Sequence, residues 1–149
     1  MTATNHALTG AIIGFTVVSP WVFLVAILSH FVLDAFPHFG TSESIKDRVN
    51  KSWFEKYLIA EFVICVAIVA FLRIQSPDFW LAPAVCAFLA TSPDLISYRK
   101  FSAIRKNKLF KPNLYERFAD NIQWFEKPIG AVVEIVWAVC AITILAILI

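Results

Sequence analysis

Four apolar blocks leave this chain few folds to choose from. They run over Ala7–Phe36, Tyr57–Ile74, Phe79–Ile96 and Ile129–Ile149. The last three are each near the ~20 residues a helix needs to cross a bilayer. Inside hydrocarbon every backbone N–H and C=O needs a partner within the protein, a condition helices meet on their own. The expected fold is therefore all-α: a polytopic membrane helix bundle forming one domain over 1–149. Composition agrees, with 59% hydrophobic and 16% charged residues and a mean hydropathy of +0.71. A soluble domain is typically ~45–50% apolar and ~25% charged.

The first block needs a closer reading. As one helix its 30 residues would extend about 45 Å, too long for a ~30 Å core without steep tilt. Pro20 removes a helical donor and pushes Ser19 out of the α region, so a break is expected there. The block then becomes a hairpin over 7–36, with arms Ala7–Val18 and Trp21–Phe36; the alternative is one kinked helix. Gly10 and Gly14 form a GxxxG that permits close helix approach and suits a tight hairpin. The run lacks the basic flank and the cleavage site of a signal peptide, so it is expected to be retained.

Charge sets the expected orientation. Arg99, Lys100, Arg105, Lys106, Lys108, Lys111 and Arg117 face one acid, Glu116, across Arg99–Arg117. Beside a membrane helix this reads as a cytoplasmic loop near anionic headgroups rather than as a nucleic-acid surface. The Gln75–Asp78 turn then lies outside, and the His38–Lys56 loop, with Lys46, Arg48, Lys51 and Lys56, lies inside. Residues 99–126 are read as the basic loop followed by an interfacial amphipathic helix over Asn113–Glu126. Pro112 suits its first turn, and Leu114, Phe118, Ile122 and Phe125 form its apolar stripe. Membrane lipids are the expected partners, and oligomerisation is compatible with so short a chain. Cys65, Cys86 and Cys140 have no CxxC spacing and are read as small core residues.

This topology brings the polar residues of the apolar blocks to one side. His6, His30, Asp34, His38, Glu61, Asp94, Gln123, Glu126 and Glu134 all fall at the cytoplasmic end, and Asp78 alone does not. Charged groups in a membrane normally face an interior cavity and pair or work there. Here they are acids and histidines with few basic partners, so a divalent cation would relieve their repulsion. His30 and Asp34 share a helix face at i and i+4. His38 follows Pro37, which ends the helix, and can turn back to the same cavity. The candidate metal ligands are His30, Asp34 and His38, with His6 and Asp94 completing or supporting the shell. Imidazole with carboxylate favours Zn²⁺, with Mn²⁺ or Fe²⁺ as alternatives. Glu61 and Glu126 are the candidate general bases. No triad spacing supports Ser29, Thr91 or Ser92 as nucleophiles.

At "NHALTGAIIG", "SHFVLDAFPHFG" and "SPD" the chain resembles a family of small bacterial inner-membrane proteins regarded as membrane-bound metal-dependent hydrolases. The resemblance covers roughly the first 40 residues and a stretch near residue 94. It implies that His6, His30, Asp34, His38 and Asp94 serve the metal. Relatives often carry a second acid or histidine soon after Pro-Asp; here Leu95, Ile96 and Ser97 follow, which weakens the case for two metals. The expected activity is hydrolysis of an ester or phosphoester, lipid-like, at the inner membrane. Two other readings stay open: a proton- or ion-coupled carrier using Glu61, Asp94 and Glu134, and a non-catalytic scaffold with a structural polar cluster.

Overall fold

The computed structural model describes residues 1–41 and 45–149. Seven helices follow in order: α1 Ala3–Thr16, α2 Val22–Asp34, α3 Ile45–Val49, α4 Ser52–Gln75, α5 Leu81–Arg105, α6 Leu114–Ile122 and α7 Gly130–Leu148, with no strand among the described residues. The fold is all-α. Helices α4, α5 and α7 are long and apolar enough to cross a membrane, which is consistent with an integral membrane protein.

The first block is a hairpin. Helix α1 ends at Thr16, Ser19-Pro20 lies in the intervening turn, and α2 begins at Val22. His6 near the start of α1 meets Asp34 at the end of α2, so the arms run antiparallel. Helix α1 is the centre of the bundle and packs against α2, α4, α5 and α7. Its core neighbours are small or thin: Ala7, Leu8 and Ala11 against Leu72, Ala87, Ala141 and Leu145. Between membrane helices, association comes from close packing rather than from removal of water, so small contact residues are what such a centre needs.

The GxxxG does its work on a different partner from the one expected. A Cβ on Gly10 would lie 2.3 Å from the Cys86 carbonyl oxygen, and one on Gly14 would lie 2.4 Å from Pro83 Cα. The glycines therefore press α1 onto α5, not onto its hairpin mate α2. Apolar side chains on α4 and α7 point away from the protein, including Phe62, Val63, Ile135 and Val139, as lipid-facing surfaces do.

Two element boundaries and the burial of the cysteines differ from the sequence reading. The third block, read as 79–96, continues as helix to Arg105 and carries Pro93 within it. The amphipathic helix is shorter than Asn113–Glu126. Asn113 is its N-cap in a capping box with Glu116, so Pro112 lies outside and the helix spans Leu114–Ile122. Of the cysteines, only Cys86 is buried; Cys65 is half-buried and Cys140 exposed. Helix α5 stops where Asn107 takes a left-handed φ of 50°. The Asn107 N–H then donates to Ile104 O and the Lys108 N–H to Ala103 O, a Schellman termination.

Candidate metal centre

Three ligand-type side chains converge where the hairpin closes. His30 and Asp34 project from the last turns of α2, one turn apart, and His6 comes from the second turn of α1. His6 Nε2 lies 3.1 Å from Asp34 Oδ1, and His30 Nε2 lies 3.3 Å from Asp34 Oδ2. The two imidazoles stack with centroids 4.0 Å apart. One ligand atom from each residue fits within a span of 4.8 Å, and all three residues are buried. Such a group could hold a metal ion.

Helix α5 sets the orientation of His30. Pro93 has no N–H to donate to the carbonyl four residues before it; the Ser92 hydroxyl donates to Leu89 O instead, at 2.9 Å. One residue further, Ala90 O lies 2.8 Å from His30 Nδ1. A carbonyl only accepts, so Nδ1 carries the proton and donates. In neutral His30 the Nε2 lone pair then faces Asp34 Oδ2, another acceptor. Two acceptors at this separation need a cation between them, either a second proton on the ring or a bound metal. A backbone carbonyl holding the far nitrogen is also the usual support of a metal-ligating histidine. Tyr115 closes this side by donating its hydroxyl to Pro93 O at 3.0 Å.

Asp34 has further partners. The α-amino group of Met1 reaches Oδ1 at 2.5 Å, and Gln123 Nε2 donates to Oδ2 at 3.3 Å. His6 Nδ1 is buried without a hydrogen-bond partner, as is Asn5 Oδ1 beside it in sequence. A fully buried orphan nitrogen on a histidine in this cluster leaves room for one more polar partner.

The remaining candidates sit at the same end of the bundle but are engaged differently. Asp94 is beside the trio, with Oδ1 3.8 Å from His30 Nε2 and a side chain 41% exposed. His38 is buried, and its Nδ1 donates to Phe36 O at 2.9 Å. Its backbone pairs with the segment before α7: His38 N–H to Phe125 O, and Lys127 N–H to His38 O. His38 is not one of the three ligand-type residues that group within 4.8 Å. Burial holds its imidazole below the ordinary histidine range, with the positive terminal amine adding to that. Glu126 Oε1 accepts from Arg48 at 2.7 Å.

The two acids inside long helices have backbone partners. Glu61 Oε2 on α4 accepts from the Thr4 N–H and the Thr4 hydroxyl, both at 2.8 Å. Glu134 on α7 accepts from the Phe39 N–H at 3.3 Å, and its backbone carbonyl takes Asn5 Nδ2 at 3.1 Å. The first-turn N–H groups of a helix have no intrahelical acceptor and carry positive partial charge. Glu61 therefore caps α1 from a neighbouring helix.

The Ala90 carbonyl and the Tyr115 hydroxyl were not singled out by the sequence reading. The available signal was Pro93, since a proline within a helix frees carbonyls for other donors. Two glycines were also passed over: a Cβ on Gly40 would meet Glu126 Cγ at 1.9 Å, and one on Gly130 would meet the His38 carbonyl at 2.1 Å. They allow the 38–40 and 125–127 segments to lie together behind the cluster. No family model, curated protein or solved structure matches the chain.

Proposed function

We propose that this chain is a membrane-embedded metal-dependent hydrolase acting on an ester or phosphoester of a lipid-like molecule, with His6, His30 and Asp34 as its metal ligands. One observation carries the reading. His30 Nδ1 is committed to Ala90 O, so its Nε2 and the Asp34 carboxylate present two electron pairs to one small buried volume. Two imidazoles and one carboxylate suit Zn²⁺, Mn²⁺ or Fe²⁺. Three protein ligands also leave coordination positions open for water and substrate. A divalent ion held by His6, His30 and Asp34 would supply Lewis-acid activation of water and of the scissile group.

The chain's own residues supply the rest. The α5 carbonyl of Ala90 and the Gln123 amide hold His30 and Asp34 in place. Asp94, partly exposed and 3.8 Å from His30 Nε2, is better placed to accept a proton from a reacting water than Glu61 or Glu126, which face Thr4 and Arg48. The proposed setting is the bacterial inner membrane with the basic 99–117 region cytoplasmic, supported by its excess of Lys and Arg.

A second reading has one specific observation in its favour. The Met1 amine already supplies a positive charge to Asp34, and a protonated His30 would complete a purely structural polar network. Hydrolysis assays separate the two. Protein reconstituted in vesicles should release product from a lipid phosphoester or carboxylic ester, lose that activity on chelation, and regain it with Zn²⁺, Mn²⁺ or Fe²⁺. Stable protein with no chelator-sensitive turnover on either bond type would favour the structural network.

A further inference from the structure

A second pocket lies away from the His–Asp cluster, between the start of α4 and the end of α5, with a volume of about 350 Å³. Its lining is two-sided. Phe54, Leu58 and Phe101 give it an apolar wall, with the Phe54 and Phe101 rings 5.7 Å apart at 63°. Tyr98, Ser102, Arg105 and Lys106 give it a polar wall carrying two cations. One acid, Glu55, shares the pocket and accepts from Arg105 Nη2 at 3.0 Å, with both side chains more than half exposed. An exposed pair of that kind is weak and exchanges readily with other anions.

We propose that this pocket binds an anionic glycerophospholipid from the surrounding bilayer. Its phosphate would sit on Arg105, Lys106 and the Ser102 hydroxyl, and the upper part of one acyl chain on Phe54, Leu58 and Phe101. Three observations support the assignment. First, the cations stand at the end of a membrane-length helix, where headgroups lie. Second, the apolar wall continues outward along the exposed face of α4 through Ile59 and Phe62, so a chain leaving the pocket stays in hydrocarbon. Third, Asp94, Tyr98, Ser102 and Arg105 recur at spacings of four, four and three on α5, one helix face. The pocket therefore opens about one helical turn along α5 from Asp94, on the face that leads to the cluster. The assignment holds whether or not the cluster carries a metal.

The test is native mass spectrometry of the full chain released from detergent, titrated with phosphatidylglycerol or phosphatidylcholine. The wild type should retain phosphatidylglycerol about tenfold better, the scale two surface cations can supply. Ser102→Trp, which fills the pocket without altering charge, and Lys106→Gln, an exposed change that spares folding, should each erase most of that preference. Lys108→Gln/Lys111→Gln, on the same basic stretch outside the pocket, should preserve it. Equal loss in the Lys108/Lys111 variant would mean diffuse attraction by the whole stretch and would overturn the site. So would an unchanged preference in Ser102→Trp. Displacement of the lipid by equimolar glycerol phosphate would overturn it too, because the apolar wall would then contribute nothing.

Discussion

Two pairs of acids sit at the same end of this bundle, and they are satisfied in different ways. Glu61 and Glu134 reach backbone N–H groups: Glu61 caps α1, and Glu134 holds Phe39. Asp34 and Asp94 face imidazoles. The first pair already has backbone donors: Glu61 accepts at the start of α1, where the helix end is itself positive, and Glu134 accepts from Phe39 in the loop after α2. The second pair differs: Asp34 and His30 present acceptor to acceptor, and the deficit has to be met by a proton or a metal. A buried acid is thus a functional clue only after its donors have been counted. By that measure the carrier reading, which uses Glu61, Asp94 and Glu134, would have to release Glu61 and Glu134 from backbone donors that Asp94 does not have among the described residues.

Substitutions on either side sharpen this contrast. The largest effect is expected at Asp94→Asn. If Asp94 is the base, the variant should keep its metal and lose about 10²- to 10⁴-fold in turnover; loss of the metal would place Asp94 among the ligands instead. Next, Glu61→Gln should leave metal content unchanged. It should lower stability by up to about 2 kcal/mol, the scale of a partly buried negative charge removed from a helix N-terminus, read as the unfolding midpoint in detergent. A fall in metal content in Glu61→Gln would break the division between the two pairs. Smaller still, Ser92→Ala removes the donor that serves Leu89 O beside Pro93. It should cost about 0.5–1.5 kcal/mol and broaden the amide exchange of residues 89–94, with metal retained.

A pH titration adds a directional check. His38 titrates below the ordinary histidine range because it is buried. The unfolded chain therefore takes up a proton near the usual value while the folded chain does not, so stability rises with pH through this window. Stability should be full above about pH 6.5 and decline as pH falls below it. His38→Asn should flatten that part of the profile, read from unfolding midpoints between about pH 5 and 7.5. A profile unchanged by His38→Asn would assign the pH dependence to other groups.

Much of the architecture is legible from periodicity and punctuation. The apolar block lengths mark the membrane-length helices, and Ser19-Pro20 marks the hairpin turn. The turn, together with the i and i+4 spacing of His30 and Asp34, also brings His6 into view. What could not be read are relations between distant segments. Gly10 and Gly14 announce a close approach but not to which helix, and the partner is α5 because Cys86 and Pro83 lie opposite. Glu61 looks the same in sequence whether it meets a metal or the α1 N-terminus. His38 carries a ligand-type ring, yet its backbone is what ties it to Lys127, a contact 89 positions away that no local pattern encodes. The third block reads as ending at Ile96, but Ser92 and His30 take up the carbonyls around Pro93 and the helix continues to Arg105.

The central claim is that His6, His30 and Asp34 share a cation other than a proton. The most direct test is elemental mass spectrometry of the purified full chain, prepared without chelators, beside a His30→Ala/Asp34→Ala double variant of matched folding. Close to one transition-metal ion per chain in the wild type, and at least about tenfold less in the variant, is the expected result. Metal-free wild type that stays metal-free after incubation with Zn²⁺, Mn²⁺ or Fe²⁺ would contradict the account and leave the cluster as a proton-bridged structural network.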